Sequence, residues 1–215
     1  MKWTIIHPSR KRCQRGYEAA LSCINNFDNS VDTLEYIVSI DNNDDQAECY
    51  REWTIPSGII LISNNNRSLV DACNNAAKIA TGDCFLVLSD DFLTPPRWNE
   101  LLKEKIDRDM YGILVNDGIS NGDIMSLPIM SKSLYERIGY IYHPDFFSLF
   151  ADNALLDVVK KLDCLIDCRH LLFEHMHYIV GKSKKDETYE RENSNYAYSN
   201  GKAVYDKLKA RNYDL

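Results

Sequence analysis

The sequence predicts an α/β fold with a mostly parallel central sheet and helices on both faces. Three observations lead there. Short apolar runs alternate with segments of helical spacing through the first hundred residues. These runs stop abruptly at polar clusters, as strands do where a sheet gives way to a loop. One of them, residues 84–88 (CFLVL), is short and apolar throughout, the pattern of a strand buried on both faces.

Taken in order, residues 3–6 form a first strand that ends in HPSRKR, and Tyr17, Ala20, Leu21 and Ile24 follow at helical spacing. A strand, a Pro/Ser turn and two arginines at a helix start suit a phosphate or nucleotide; the plain alternative is a solvated basic turn. Residues 34–40 (LEYIVSI) form the second strand and run directly into Asp41. Asp41 can accept hydrogen bonds from a base or sugar edge, while the acids after it can open a helix over 48–53. A third strand over 58–62 leads to Asn66 and Arg67. Ser68 and Asp71 then resemble a capping box before the small apolar stripe Leu69, Cys73, Ala76 and Ala80, which Gly82 ends.

The strand at 84–88 is followed by Ser89, Asp90 and Asp91, and Pro95 and Pro96 prevent a return to the sheet. Adjacent carboxylates at a strand end repel each other unless a cation or a set of donors compensates them, and hard divalent cations are their usual partner. The competing reading is an Asp-rich turn that caps the next helix. Right-handed crossovers gather the clusters 7–12, Asp41, Asn66 with Arg67, and Asp90 with Asp91 into one crevice at the carboxyl edge of the sheet.

A helix over 98–106, a strand over 111–115, a strand around 125–130 and a short helix ending at Gly139 complete the regular middle of the chain. After the aromatic run 140–150, Asp152 stands at the start of a helix striped by Leu155, Val158, Val159 and Leu162, where it is either a dipole-satisfying cap or a catalytic base. Residues 171–173 lead into Glu174-His175-Met176-His177; on an extended chain both histidines point to one face and reach one ion or one substrate. Residues 1–181 read as a single catalytic domain, and residues 182–215 as a polar segment packed on it or extending from it.

The composition is that of a globular protein with one substantial core. Twenty-five Lys and Arg against 32 Asp and Glu give a net charge of −7, so the chain as a whole does not attract nucleic acid or an anionic membrane. Seven scattered cysteines among apolar neighbours fit reduced core thiols better than a disulfide framework. No apolar run has the length of a signal peptide or a membrane span, and the expectation is a cytoplasmic protein.

The spacing of Asn66, Ala72, Asn74, Gly82-Asp83, Ser89-Asp90-Asp91, Pro95 and Trp98 resembles the family-two glycosyltransferases of the GT-A fold, a Rossmann-like nucleotide-sugar-binding fold used by inverting enzymes. The resemblance implies a metal-dependent transferase that moves a sugar from a nucleoside-diphosphate sugar, a UDP-sugar, to an acceptor hydroxyl. By position, Pro8, Ser9 and Arg10 resemble the first nucleotide-binding loop and Asp41 the acid that reads uracil. Asn66 and Arg67 join the donor site and Asp90 meets the ribose. Asp91 resembles the direct ligand of Mn²⁺ or Mg²⁺, with His177, or in second place His175, completing the metal site, and Asp152 resembles the acceptor-activating base. Ser68, Cys73 and Ser89 depart from the family's Gly, Arg and Asp. The acceptor stays open among a glycan, a protein, a lipid-linked sugar and a modified DNA base.

Two rival readings remain. A nucleotidyltransferase of similar layout would carry a Gly-rich loop after the first strand, where this chain has only Gly16. A non-catalytic nucleotide- or glycan-binding module would keep the crevice without the chemistry.

Overall fold

The computed structural model describes residues 1–56 and 58–215. Its centre is β1 (Lys2–Pro8), flanked in parallel by β2 (Thr33–Asp41) and β4 (Cys84–Val87), with β3 (Ile60–Asn64) parallel to β2 at one edge. On the other side, β7 (Ile129–Ser131) runs antiparallel between β4 and β6 (Gly112–Asn116), and β8 (Leu165–Leu172) closes the sheet parallel to β6. The seven strands follow the order β3-β2-β1-β4-β7-β6-β8. The reversal at β7 makes the sheet mixed on that side and mostly parallel overall.

Alternation along the central strands divides the core in two. Trp3, Ile5, Tyr36, Val38, Ile40, Leu86 and Leu88 face one layer, formed by α1 (Cys13–Asn25), α2 (Ala47–Arg51) and α4 (Trp98–Lys103). Ile6, Ile37, Phe85 and Val87 face the other, formed by α3 (Leu69–Ala77), α5 (Lys132–Ile138), α6 (Ala151–Lys161) and α8 (Asn195–Ala210). Trp3 and Trp98 meet edge to face at 5.1 Å, fully buried, and lock α4 to the central strand. A two-stranded ribbon of β5 (Phe92–Leu93) and β9 (Glu174–His175) lies outside the main sheet and sets Phe92 opposite His175. The short helix α7 (Glu187–Glu192) follows it.

Four local readings change. The strand expected at 125–130 is confined to Ile129–Ser131, because Met125 and Leu127 are buried outside the ladder. The helix expected over 98–106 ends at Lys103. β8 starts well before residue 171: it is an edge strand whose exposed Asp167 and Arg169 pair with each other, so its alternation hides in a polar-looking stretch. Cys13 and Cys49 form a disulfide joining the start of α1 to α2 across 36 residues, whereas Cys23, Cys73, Cys84, Cys164 and Cys168 are free and buried as expected. Among the described residues no helix is long and apolar enough to cross a membrane.

Candidate active site

The parallel strands point their carboxyl ends toward one side of the molecule, and there the polar clusters converge. Pro8 ends β1 with Ser9, Arg10 and Arg12 after it, Asp41 ends β2, and Ser89, Asp90 and Asp91 follow β4. All of them line one cleft of about 210 Å³, together with His175, His177 and residues of α7.

Asp41, Asp90 and Asp91 are each held by donors from distant parts of the chain. Asp41 is gripped by Arg10 on Oδ2 and accepts the Asn66 amide on Oδ1 at 3.1 Å. Arg191 approaches the same carboxylate at 3.9 Å. Asp90 accepts from His7 Nε2 at 3.0 Å, and His7 Nδ1 is 2.7 Å from the Tyr36 hydroxyl, so a fully buried relay beneath the first loop fixes the carboxylate. Asp91 Oδ2 accepts from the Tyr189 hydroxyl at 2.5 Å and lies 3.3 Å from His175 Nε2 and 3.6 Å from Arg15. Burial alone would raise the Asp91 carboxyl, but the His175 and Tyr189 hydrogen bonds and the charge of Arg15 outweigh it and hold the group ionised well below the usual range.

The histidines differ in role. His175 stacks on Phe92 with centroids 4.2 Å apart and turns one nitrogen to Asp91. His177 Nδ1 accepts the Ile179 amide at 3.3 Å, so in this arrangement the neutral ring carries its proton on Nε2, and a metal at Nε2 requires the Ile179 bond to open and the proton to move to Nδ1. Burial first, and then the neighbouring His175, lower the His177 pKa to about 4, so its imidazole is neutral at physiological pH. Among the described residues no three or more His, Cys, Asp and Glu side chains form a ready metal-binding group. An ionised carboxylate beside a neutral imidazole fits a divalent cation that takes its remaining ligands from a bound diphosphate.

The structure brings Pro8, Ser9, Arg10, Asp41, Asp90, Asp91, His175 and His177 to the cleft lining and leaves three expected residues outside it. Asn66 stands behind Asp41 and also bonds the Ile40 carbonyl at 3.1 Å, an orienting position. Arg67 turns back onto Asp71 at 2.7 and 2.8 Å, an i,i+4 pair on the outer surface of α3. Asp152 lies in the first turn of α6, near Asp117, half-buried; burial and the charge of Asp117 raise its pKa.

Sequence reasoning passed over the wall contributed by residues 186–193. Asp186 caps α7 and clamps Arg12 at 2.6 and 2.8 Å, and the Arg12 guanidinium lies 4.1 Å above the Tyr189 ring. Ser68, Thr188, Arg191 and Glu192 complete this side of the cleft. The available signal was an Asp followed at the third position by a lone Tyr within a charged run, a helix start with one side chain suited to burial.

A crevice at the carboxyl edge of a parallel sheet, lined by strand-end acids and by arginines from the first loop and α7, defines an α/β protein built for an anionic ligand with a polar head. The chain belongs to glycosyl transferase family 2, whose sequence profile matches residues 4–147. No curated protein matches it by sequence. Several solved GT-A glycosyltransferases share its fold. A mannosyltransferase from Pyrobaculum calidifontis, in complex with GDP-Man and Mn²⁺, superposes with a TM-score of 0.66 at 17% identity, over 97% of this chain and 75% of its own. S. aureus TarS (1–349) with UDP-GlcNAc superposes at 0.61 and 12% identity, over 100% of this chain and 73% of its own. Glucosyl-3-phosphoglycerate synthase from Mycobacterium tuberculosis, with Mn²⁺, UDP and glucosyl-3-phosphoglycerate, superposes at 0.57 and 13% identity, over 81% and 70%.

Proposed function

We propose that this protein transfers a sugar from a UDP-sugar to an acceptor hydroxyl, with a divalent cation and with inversion at the anomeric carbon. The observation that carries this reading is the convergence of Asp41, Asp90 and Asp91, from the ends of two parallel strands, on one cleft with Arg10, Arg12 and Arg191. Family membership and nucleotide-sugar complexes of similar fold support it.

In this reading Asp41, steadied by Asn66, accepts from the base, and Asp90, fixed by His7, accepts from the ribose hydroxyls. Pro8 and Ser9 shape the floor of the nucleotide loop, while Arg10 and Arg12 face the diphosphate. Asp91 and His177 would hold Mn²⁺ or Mg²⁺, with His175 orienting Asp91; the cation's charge would offset that of the departing diphosphate. Asp152 takes the proton of the acceptor hydroxyl as its oxygen bonds to the anomeric carbon and the bond to the diphosphate breaks. Inversion requires the base on the face opposite the leaving group, which suits a carboxylate outside the diphosphate cleft with a pKa raised by burial. Residues 182–215 form part of the same functional unit, since Tyr189, Arg191 and Glu192 line the cleft.

Calorimetry with UDP, with or without Mn²⁺, tests this on the wild type and on Asp91→Ala. The expected outcome is UDP binding that needs the metal and disappears in the variant. Absence of binding to any nucleoside diphosphate would sink the reading. Release of UDP from UDP-sugar without acceptor separates an enzyme from a pure binder.

A further inference from the structure

The binding groups of the cleft are engaged by the chain itself. Asp186 holds Arg12 Nε at 2.8 Å and Nη2 at 2.6 Å, the two-point contact that a phosphate makes with a guanidinium. The Tyr189 hydroxyl donates to Asp91 Oδ2 at 2.5 Å and accepts from Arg15 Nη2 at 2.9 Å, so Asp91 already has a donor and a nearby positive charge. Arg191 reaches toward Asp41 at 3.9 Å. All three partners come from α7 or its N-cap.

This helix is lightly fastened. It has six residues with Tyr189 as its buried one, and further polar ties run from Lys11 to Glu187 at 3.4 Å and from the Thr188 hydroxyl to the Arg10 carbonyl at 3.3 Å. A segment with so little buried apolar surface opens at low free-energy cost. Gly181 precedes it at φ +72°, with open space where a Cβ would stand. With α7 in place the cleft holds about 210 Å³, below the roughly 300–1,000 Å³ of sites that enclose drug-sized ligands. A nucleotide sugar needs the larger space.

We infer that α7 is an autoinhibitory strap: Asp186 takes the place of the donor's diphosphate on Arg12, Tyr189 takes that of the divalent cation at Asp91, and both give way when the metal-bound donor arrives. This rests on the nucleotide-sugar reading above. The exchange leaves no buried charge unpaired, since Arg12 passes from a carboxylate to a phosphate and Asp91 from a hydroxyl to a cation. The competing role for α7 is a permanent wall that positions Arg12 and Asp91 for the ligand. The two roles predict opposite signs: removing a strap tightens binding, and removing a support weakens it.

The test is calorimetry with UDP and Mn²⁺ on the wild type, Asp186→Ser and Tyr189→Phe, with thermal melts to confirm folding. Hydrogen exchange of the amides of residues 189–193 is followed in the wild type with and without UDP and Mn²⁺. Asp186→Ser keeps a side-chain oxygen to cap α7 while dropping the clamp on Arg12, and Tyr189→Phe keeps the ring beneath Arg12 while dropping the hydroxyl on Asp91. Affinity for UDP with Mn²⁺ should rise about 10-fold in Asp186→Ser and about 5-fold in Tyr189→Phe, because a hydrogen bond to a charged group no longer has to be broken. The amides should exchange faster in the wild-type complex, since a six-residue helix lifted off the cleft does not hold its hydrogen bonds in water. Binding no tighter than wild type in both variants, or exchange no faster in the complex, overturns the strap while leaving the transferase reading standing. Failure of the wild type to bind any nucleoside diphosphate overturns both. The exchange measurement needs no variant, so it stays decisive if either substitution fails to fold.

Discussion

Asp152 and Asp91 sit in two contrasting environments. Asp91 is flanked by a tyrosine hydroxyl, a histidine and an arginine that keep it ionised, whereas Asp152 accepts from the neighbouring Asn153 amide at 2.9 Å and is repelled by Asp117. The first suits a permanent anion facing a cation; the second, its pKa raised by burial, suits a group that takes up a proton more readily. Asp152→Asn is therefore expected to retain UDP and UDP-sugar affinity and to lose about 10²- to 10⁴-fold in transfer rate. Rate assays beside calorimetry check this, and unchanged turnover would remove Asp152 from the role. At this scale the strand-end acids were legible because an apolar run that halts at Asp has few structural meanings. Arg67 misled because its position after β3 suggested the cleft, while Asp71 four residues on offered a nearer partner. Tyr189 and Glu192 were illegible because single residues in a charged run carry no periodicity.

Gly16 is what lets α1 pass close to Asp90. A Cβ at this position would sit 2.7 Å from Asp90 Oδ1 and 3.1 Å from the Trp53 ring, inside the contact distance of both. Gly16→Ala gains about 1 kcal/mol of helix propensity, but overpacking of this kind costs about 1–3 kcal/mol. The expected net result is a loss of about 1 kcal/mol in urea denaturation, with weaker UDP binding as Asp90 is displaced from His7. A stabilised variant with wild-type affinity would show that the contact yields freely. The regular elements around α1 were readable from apolar spacing. The Cys13–Cys49 bridge was not, since it depends on how α2 returns to the start of α1, and β8 was obscured by its outward Asp and Arg.

For the molecule as a whole, Asp32 is a tie between layers. Its buried carboxylate accepts from Trp3 Nε1 at 3.1 Å, Asn99 Nδ2 at 3.0 Å and Lys103 Nζ at 2.7 Å, joining β1 to α4. Burial works to raise its pKa, but the hydrogen bonds from Lys103, the terminal ammonium, Asn99 and Trp3 prevail and lower it from 3.8 to about 2. The folded state thus holds the ionised form more tightly than the unfolded chain does, so the stabilisation is complete above about pH 4 and is lost as pH falls toward 2. Asp32→Asn should be less stable than the wild type by about 1–3 kcal/mol at pH 7, with the gap narrowing below pH 4 in denaturation curves. A gap independent of pH would assign the effect to packing. One further consequence comes from where the cleft's last wall lies along the chain. Arg12 waits for Asp186 and Asp91 for Tyr189, partners 174 and 98 residues further on. A nascent chain emerging at about 5–20 residues per second can complete β1 to β4 well before α7 exists. The ribosome therefore exposes, for several seconds, a sheet whose strand-end acids are in place while the α7 wall of the cleft is still unmade.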